Sequence, residues 1–261
     1  MTTLLTPTRG IQAIYGINPV AKLGAALLLS VWLVLSIDWV SASVALLLES
    51  VLFLFAGVRA RTFWMRTLPV WVAAPLTGIT IALYGESAGR VHFEFLFARI
   101  SDGSLELAVA TMLRVLALGL PSVVLFLTVD PTDLADGLAQ VLRLPARFVL
   151  GALAGLRLVG LFLDDWRALE LARRARGVGD TGRTRRLAGQ AFALLVLSIR
   201  RGSKLATAME ARAFGAPIRR TWARQSSFGS REWAFVALGG IVGGGAAAVA
   251  IATGTWNYIG G

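Results

Sequence analysis

Five stretches of this chain run apolar for about the length that a helix needs to cross a bilayer, some 20 residues. They are residues 20–37 (VAKLGAALLLSVWLVLSI), 39–58, 68–85, 105–129 and 233–252 (WAFVALGGIVGGGAAAVAIA). In the first, Lys22 is near enough to the end for its ammonium to snorkel to the interface. Glu49 interrupts the second and should face protein rather than lipid. Trp64 and Trp71 flank the third as interfacial aromatics. Arg114 lies near the middle of the fourth, where a charge is costly, and its expected role is structural, paired with Glu106 or Glu49. The fifth is rich in the small residues that let membrane helices approach closely.

Two shorter apolar runs, 148–163 (FVLGALAGLRLVGLFL) and 187–199 (LAGQAFALLVLSI), need a different reading. Either has the composition of a further span. Arginines flank each on both sides, however: Arg143 and Arg147 against Arg167 and Arg173, then Arg183 to Arg186 against Arg200 to Lys204. If both crossed, the segment RRARGVGDTGRTRR would lie outside, against the bias of Lys and Arg toward the cytoplasm. We therefore read them as long helices at the cytoplasmic face. Phe148, Ala152, Leu156, Val159, Leu163 and Trp166 recur at threes and fours along one face of the first. Leu187, Ala191, Leu194, Ser198, Gly202, Leu205 and Met209 make a narrower stripe on the second. Glu170 and Arg174 form a favourably ordered i,i+4 pair. Each helix stops at an arginine between small residues: LARRARGVGD runs into Gly177-Val178-Gly179-Asp180, and AMEARAFGAP into Gly215-Ala216-Pro217. Ahead of both, Asp130 caps a short helix, with Pro131 at its first position, Asp133 at its third and Pro145 closing it.

Charge orients the whole. Arg9 and Lys22 precede the first span, Arg59, Arg61 and Arg66 separate the second from the third, Asp38 lies between the first and second, and 86–104 is mixed. The N-terminus should be cytoplasmic and 86–104 outside. Residues 130–232 then fall inside, and they hold 18 of the 26 Lys and Arg residues. The expected fold is an all-α polytopic membrane protein: four spans in 1–129, one short and two long helices in 130–232, and a last span in 233–261. Composition agrees, with 56% hydrophobic residues, 16% charged and a mean hydropathy of +0.69, against about a quarter charged in soluble domains. The net charge of +11 would suggest nucleic acid in a soluble protein; here positive-inside bias explains it, and no nucleic-acid partner is expected. MTTLLTPTRGIQAIYGINP lacks the basic-then-apolar order of a cleavable signal peptide.

Candidate chemistry is thin. The chain has no cysteine, so disulfides and thiolate sites are excluded, and its single histidine, His92, makes no metal cluster. RGSKLAT lacks the glycine-rich lead and Gly-Lys pair of a phosphate-binding loop. Asp164 and Asp165 face different directions on a helix and, next to Arg167, read as solvated surface. A membrane enzyme would need acid, base or metal residues at one depth, and only Glu49, Glu106 and Arg114 are candidates. We expect no catalysis, metal or cofactor. What charge at a helix C-terminus does not explain is why two helices end in Ala-Arg-small. A guanidinium between small residues can enter a groove and fork onto a carboxylate.

The run from LFLTVDPTDLADGLAQVLRLP through LRLVGLFLDDWRALELARRARGVG to KLATAMEARAFG resembles the T component (EcfT/CbiQ-like) of energy-coupling factor (ECF) transporters, ABC-type importers of vitamins and metal ions. INPVAK resembles that family's opening. The resemblance implies a non-catalytic scaffold in a prokaryotic cell membrane, joining two cytoplasmic ABC ATPases, which bind ATP and Mg, to a small substrate-binding membrane S component. It implies two crossing coupling helices whose tip arginines dock on the ATPases: Ala175-Arg176-Gly177 and Ala211-Arg212-Ala213 here, the second with Ala where Gly is commoner. Arg173 and Arg174 then read as charged helix surface. The family carries B vitamins, their precursors (a thiamine precursor is the working guess) and cobalt or nickel; specificity would lie in the other membrane subunit. The alternative is a substrate-translocating permease subunit of another ABC importer.

Overall fold

The structure, a computed structural model, describes residues 13–57, 60–85, 89–95, 98–177, 182–216 and 221–256. A 3-10 turn, Ala13–Gly16, leads into α1 (Pro19–Leu35), α2 (Trp39–Ala56) and α3 (Ala60–Tyr84). A hairpin of β1 (Val91–Phe95) and β2 (Ala98–Ser101) precedes α4 (Asp102–Leu127). Then come α5 (Pro131–Gln140), α6 (Ala146–Ala175), α7 (Arg183–Ala211) and α8 (Ser230–Ala252). Val178, Gly179 and Asp180 of the first expected stop, Pro217 of the second, and Arg9 and Arg59 of the charge argument lie outside the described residues. All five expected spans are helices, and the architecture is that of an all-α polytopic membrane protein. Among the described residues α3, α4, α6 and α8 are long and apolar enough to cross a membrane, and α1 and α2 are shorter apolar helices. By length and hydropathy alone α6 thus qualifies as well.

The chain divides into two compact units, residues 1–137 with 226–261, and residues 138–225. In the first, helix ends are set by side-chain caps. Asn18 caps α1 by accepting from the Val20 N–H at 3.0 Å, with Pro19 at the position where no N–H is missed. The Asp38 carboxylate accepts from the Ser41 N–H at 2.6 Å and the Ser41 hydroxyl at 2.7 Å to start α2. Ser101 and Ser104 cap each other's backbone at the start of α4, and Ser104 Oγ also donates to the Ala82 carbonyl of α3. The hairpin that delivers Ser101 to this cap was not predicted by the apolar pattern. Its register runs from Val91 opposite Ser101 to Phe95 opposite Ala98.

The first unit packs by close backbone approach. α1 lies on α8, α3 on α4, and α2 on α4 and α8. A Cβ on Gly239 would fall 2.4 Å from the Ala25 carbonyl oxygen, one on Gly243 2.9 Å from Trp32, and one on Gly119 2.5 Å from Val70. Only glycine permits these contacts, so the small residues of the last span are a packing face. Leu29, Leu33, Ala45, Ala117, Val242 and Ala246 form the central core, and Ala74, Leu116 and Leu120 a second one beside α3.

Two expectations about charge are corrected here. Lys22 does not snorkel: it is 1% exposed, and its Nζ donates to the Thr128 carbonyl at 2.9 Å, tying the start of α1 to the end of α4. The Thr128 carbonyl lies just past the last turn of α4, where it has no partner in the helix and negative partial charge gathers, so an ammonium is well placed there. Arg114 makes no ion pair with Glu106 or Glu49. The carboxylate whose field reaches it is Asp38, because α4 brings Arg114 toward the α1–α2 corner.

In the second unit α6 and α7 run antiparallel. Asp165 of α6 meets Arg201 of α7, and Arg173 near the end of α6 reaches Arg186 near the start of α7.

Two substitutions test the close packing. Gly239→Ala should lower the thermal midpoint of the purified protein by the equivalent of about 1–3 kcal/mol of overpacking. Gly245→Ala, with nothing within 4 Å of the new methyl, should be neutral or stabilising by up to about 1 kcal/mol. Lys22→Met keeps the volume but leaves the Thr128 carbonyl buried without its donor, and should cost about 1–3 kcal/mol in the same unfolding measurement.

Candidate functional site

The two arginine motifs form the same kind of helix end. α6 stops at Ala175, Arg176 is its C-cap, and Gly177 follows at φ +73°. The Gly177 N–H donates to the Arg174 carbonyl at 3.0 Å. α7 stops at Ala211, Arg212 is its C-cap, and Ala213 follows at φ +55°. There the Ala213 N–H donates to Glu210 at 2.9 Å and the Phe214 N–H to Met209 at 2.9 Å. That pair of bonds is a Schellman motif, which closes a helix by turning one residue left-handed. Glycine takes that conformation freely; alanine takes it at a cost of about 1–2 kcal/mol. The expected preference for Gly in the motif thus has a backbone cause, the left-handed turn, in addition to the room a small residue leaves.

Ala175, Arg176, Gly177, Ala211, Arg212 and Ala213 are all exposed. Arg176 and Arg212 are each the last residue before the chain turns. Arg173's contacts with α7 put the end of α6 beside the start of α7. The 29 residues of α7 then separate the two arginines by roughly 40 Å at about 1.5 Å per residue. One groove cannot take both.

Arg173 is not plain helix surface. Its Nη1 donates to the Arg186 carbonyl at 3.4 Å, and its guanidinium lies over Gly189, where a Cβ would come within 2.8 Å of Nη2. Arg174 does pair with Glu170, at 2.7 Å and exposed, as the spacing implied. The two aspartates part company. Asp164 faces Arg167 at 3.6 Å on the surface, whereas Asp165 takes a two-pronged contact from Arg201 at 2.5 and 3.0 Å across the helix pair. Sequence reasoning missed this tie. Its signal was phase: Arg201 continues the face of Gln190, Leu194 and Leu197, which is turned toward α6. Arg114 belongs to the first unit and takes no part in the site.

The apolar stripe expected on α6 does not pack within this chain. Phe148 is 65% exposed, and Leu156, Val159 and Leu163 are each about half exposed. On α7, Leu194, Ser198, Gly202, Leu205 and Met209 are half-buried, while Phe192, Leu195, Val196 and Ile199 stand out on the opposite face. The helix pair is therefore joined in part by polar ties and leaves two apolar faces open. No group of His, Asp or Glu among the described residues is arranged to hold a metal ion.

Comparison with known proteins gives the geometry a family. Residues 11–221 match the CbiQ family, described as cobalt transport protein. The energy-coupling factor transporter transmembrane protein EcfT of Bacillus selenitireducens is 26% identical over 245 residues, covering 88% of this chain and 90% of that protein. EcfT of Lactococcus lactis is 29% identical over 240 residues, 85% of this chain and 88% of its own length. EcfT of Limosilactobacillus fermentum is 28% identical over 183 residues, 64% of this chain and 67% of its own. A match across four-fifths of the sequence, on a membrane bundle carrying two arginine-tipped helices, means that the chain belongs to the CbiQ family and is the transmembrane T component of an energy-coupling factor transporter.

Proposed function

We propose that this chain couples two cytoplasmic ABC ATPases to a small substrate-binding membrane subunit, with Arg176 and Arg212 as the anchors. The observation that carries the reading is the repeated helix end: two exposed arginines, each just before a left-handed residue, roughly 40 Å apart on an antiparallel pair. Each guanidinium offers a planar fork to a carboxylate in a partner's groove, and the small neighbours let it enter. ATP and Mg are bound by the partners. Closure of the ATPase pair changes the separation of the two tips, α6 and α7 transmit that change, and the membrane subunit reorients with its vitamin or metal-ion cargo. The open apolar faces of the helix pair supply surface for that subunit.

This reading keeps the N-terminus and the second unit cytoplasmic. Although α6 is long and apolar enough to span, a crossing α6 would draw Arg157 into the hydrocarbon and carry one of two arginine-rich ends to the outside. Either costs more than leaving an apolar face for a protein partner. A cavity among α1, α2, α4 and α8 favours a second reading, in which the chain is the substrate-translocating permease subunit of another ABC importer. Expression with ATPases alone separates them: transport without a further membrane subunit supports the permease, and its absence the coupler.

Arg176→Ala and Arg212→Ala should each lower co-purification of the ATPases and substrate uptake at least tenfold, since losing one partner of a desolvated charge pair costs about 2–5 kcal/mol. The double variant should abolish both. Normal assembly and uptake in all three variants would remove the anchor role. Ala213→Gly relieves the left-handed alanine and should slow amide exchange in the last turn of α7, by up to the equivalent of about 1 kcal/mol. Gly177→Ala should do the reverse at the end of α6.

A further inference from the structure

Glu49 is a buried membrane carboxyl that the coupling mechanism leaves without a use. It is 3% exposed, and neither side-chain oxygen has a hydrogen-bond partner. It lines a cavity of about 260 Å³ among α1, α2, α4, α8 and the N-terminal 3-10 turn. Leu29, Phe53, Pro121, Leu125 and Phe235 are among the other walls, and among the described residues Glu49 is the only ionisable one lining it.

The surroundings make this carboxyl unusual. Serine and threonine hydroxyls elsewhere in the bundle are satisfied by their own helix: Thr67 donates to Phe63, Thr77 to Ala73 and Thr111 to Leu107. The other buried charges have partners too, Lys22 at Thr128 and Asp38 at Ser36 and Ser41. An acid held in an apolar site with room beside it is a recognition element more readily than a packing one, because a leucine would fill the same place without loss of solvation. The walls say what it recognises. A carboxyl group pairs with an amine, and the aliphatic and aromatic walls accept an apolar body. A neutral alkane would leave the carboxyl unpaired.

We infer that this cavity is a binding site for a small organic cation, an amine carried on an apolar body, with Glu49 as its counter-ion. The site lies wholly in the first unit and does not depend on the docking role of Arg176 and Arg212.

The test uses the full chain in lipid nanodiscs with radiolabelled octylamine, counted against empty nanodiscs and against octanol. Octylamine should be retained at least tenfold more tightly than octanol, and at least tenfold more tightly than by Glu49→Gln. Leu125→Trp fills the cavity while leaving Glu49 in place, and should lower retention to a similar degree. It serves as the deciding variant if Glu49→Gln does not fold. Retention no greater than in empty nanodiscs, equal retention of octanol, or retention unchanged in whichever variant folds overturns the site.

Discussion

A single buried ammonium organises the corner of the membrane unit where most of its connections meet. Lys22 gives up water to hold the carbonyl at the end of α4, and such a group is tolerated only if its partner is fixed. One turn earlier Asn18 does three jobs, capping α1 and donating to Ser226 Oγ and the Ser227 carbonyl ahead of α8. Gly137 completes the corner, since a Cβ there would fall 2.7 Å from Val20 and 3.0 Å from Asn18 Oδ1. The chain leaves the first unit after Gly137 and returns at Ser226. Both passages are thus fastened to the first turn of α1. That fastening gives INPVAK a structural reason for its composition, since Asn18, Val20 and Lys22 all take part in it.

The two units are held together internally by different means. In the first, glycine and alanine let helix backbones touch, so its stability comes from dispersion over many close contacts, each small and all geometrically strict. In the second, the α6–α7 pair relies visibly on Asp165 with Arg201 and on Arg173 with the Arg186 carbonyl. Half-exposed ties of this kind are worth on the order of 1 kcal/mol or less. They fix which residues face each other without locking the helices as a packed core would. Of the two, the helix pair has the weaker internal ties, and weakly held elements are the ones that move.

Much of this was readable from the residues, because hydropathy and helix stops are local properties. The five spans came from apolar length, and both helix tips from the glycines after Arg176 and Phe214. What escaped was set by distant partners. Whether Lys22 snorkels or caps depends on where α4 ends, 106 residues away. Asp165 read as surface because its partner lies on another helix, and Arg114 makes no ion pair with either Glu106 or Glu49. The α6 stripe is apolar as expected, but what covers it was not legible, since periodicity shows a face and not its partner. The hairpin was hidden by brevity: Val91, Phe93 and Phe95 alternate, but over five residues that is weak against a loop.

The helix ends carry a last distinction between charge and position. A macrodipole rewards any cation in the final turn by about 0.3–1 kcal/mol, and α6 already has Arg173 and Arg174 there. A further arginine at the cap adds little to the helix, and α7 places one there with no basic residue in its last turn at all. Dipole compensation would have filled the turn before the cap in both helices. Instead both keep an arginine at the cap itself and follow it with a left-handed residue, even where that residue is Ala213 and the conformation costs stability. A conformation kept against local cost points to a role outside the helix. At both tips the arginine is exposed and the next residue has a positive φ. It is this geometry, more than the basic charge of the region, that separates Arg176 and Arg212 from the other arginines of the second unit.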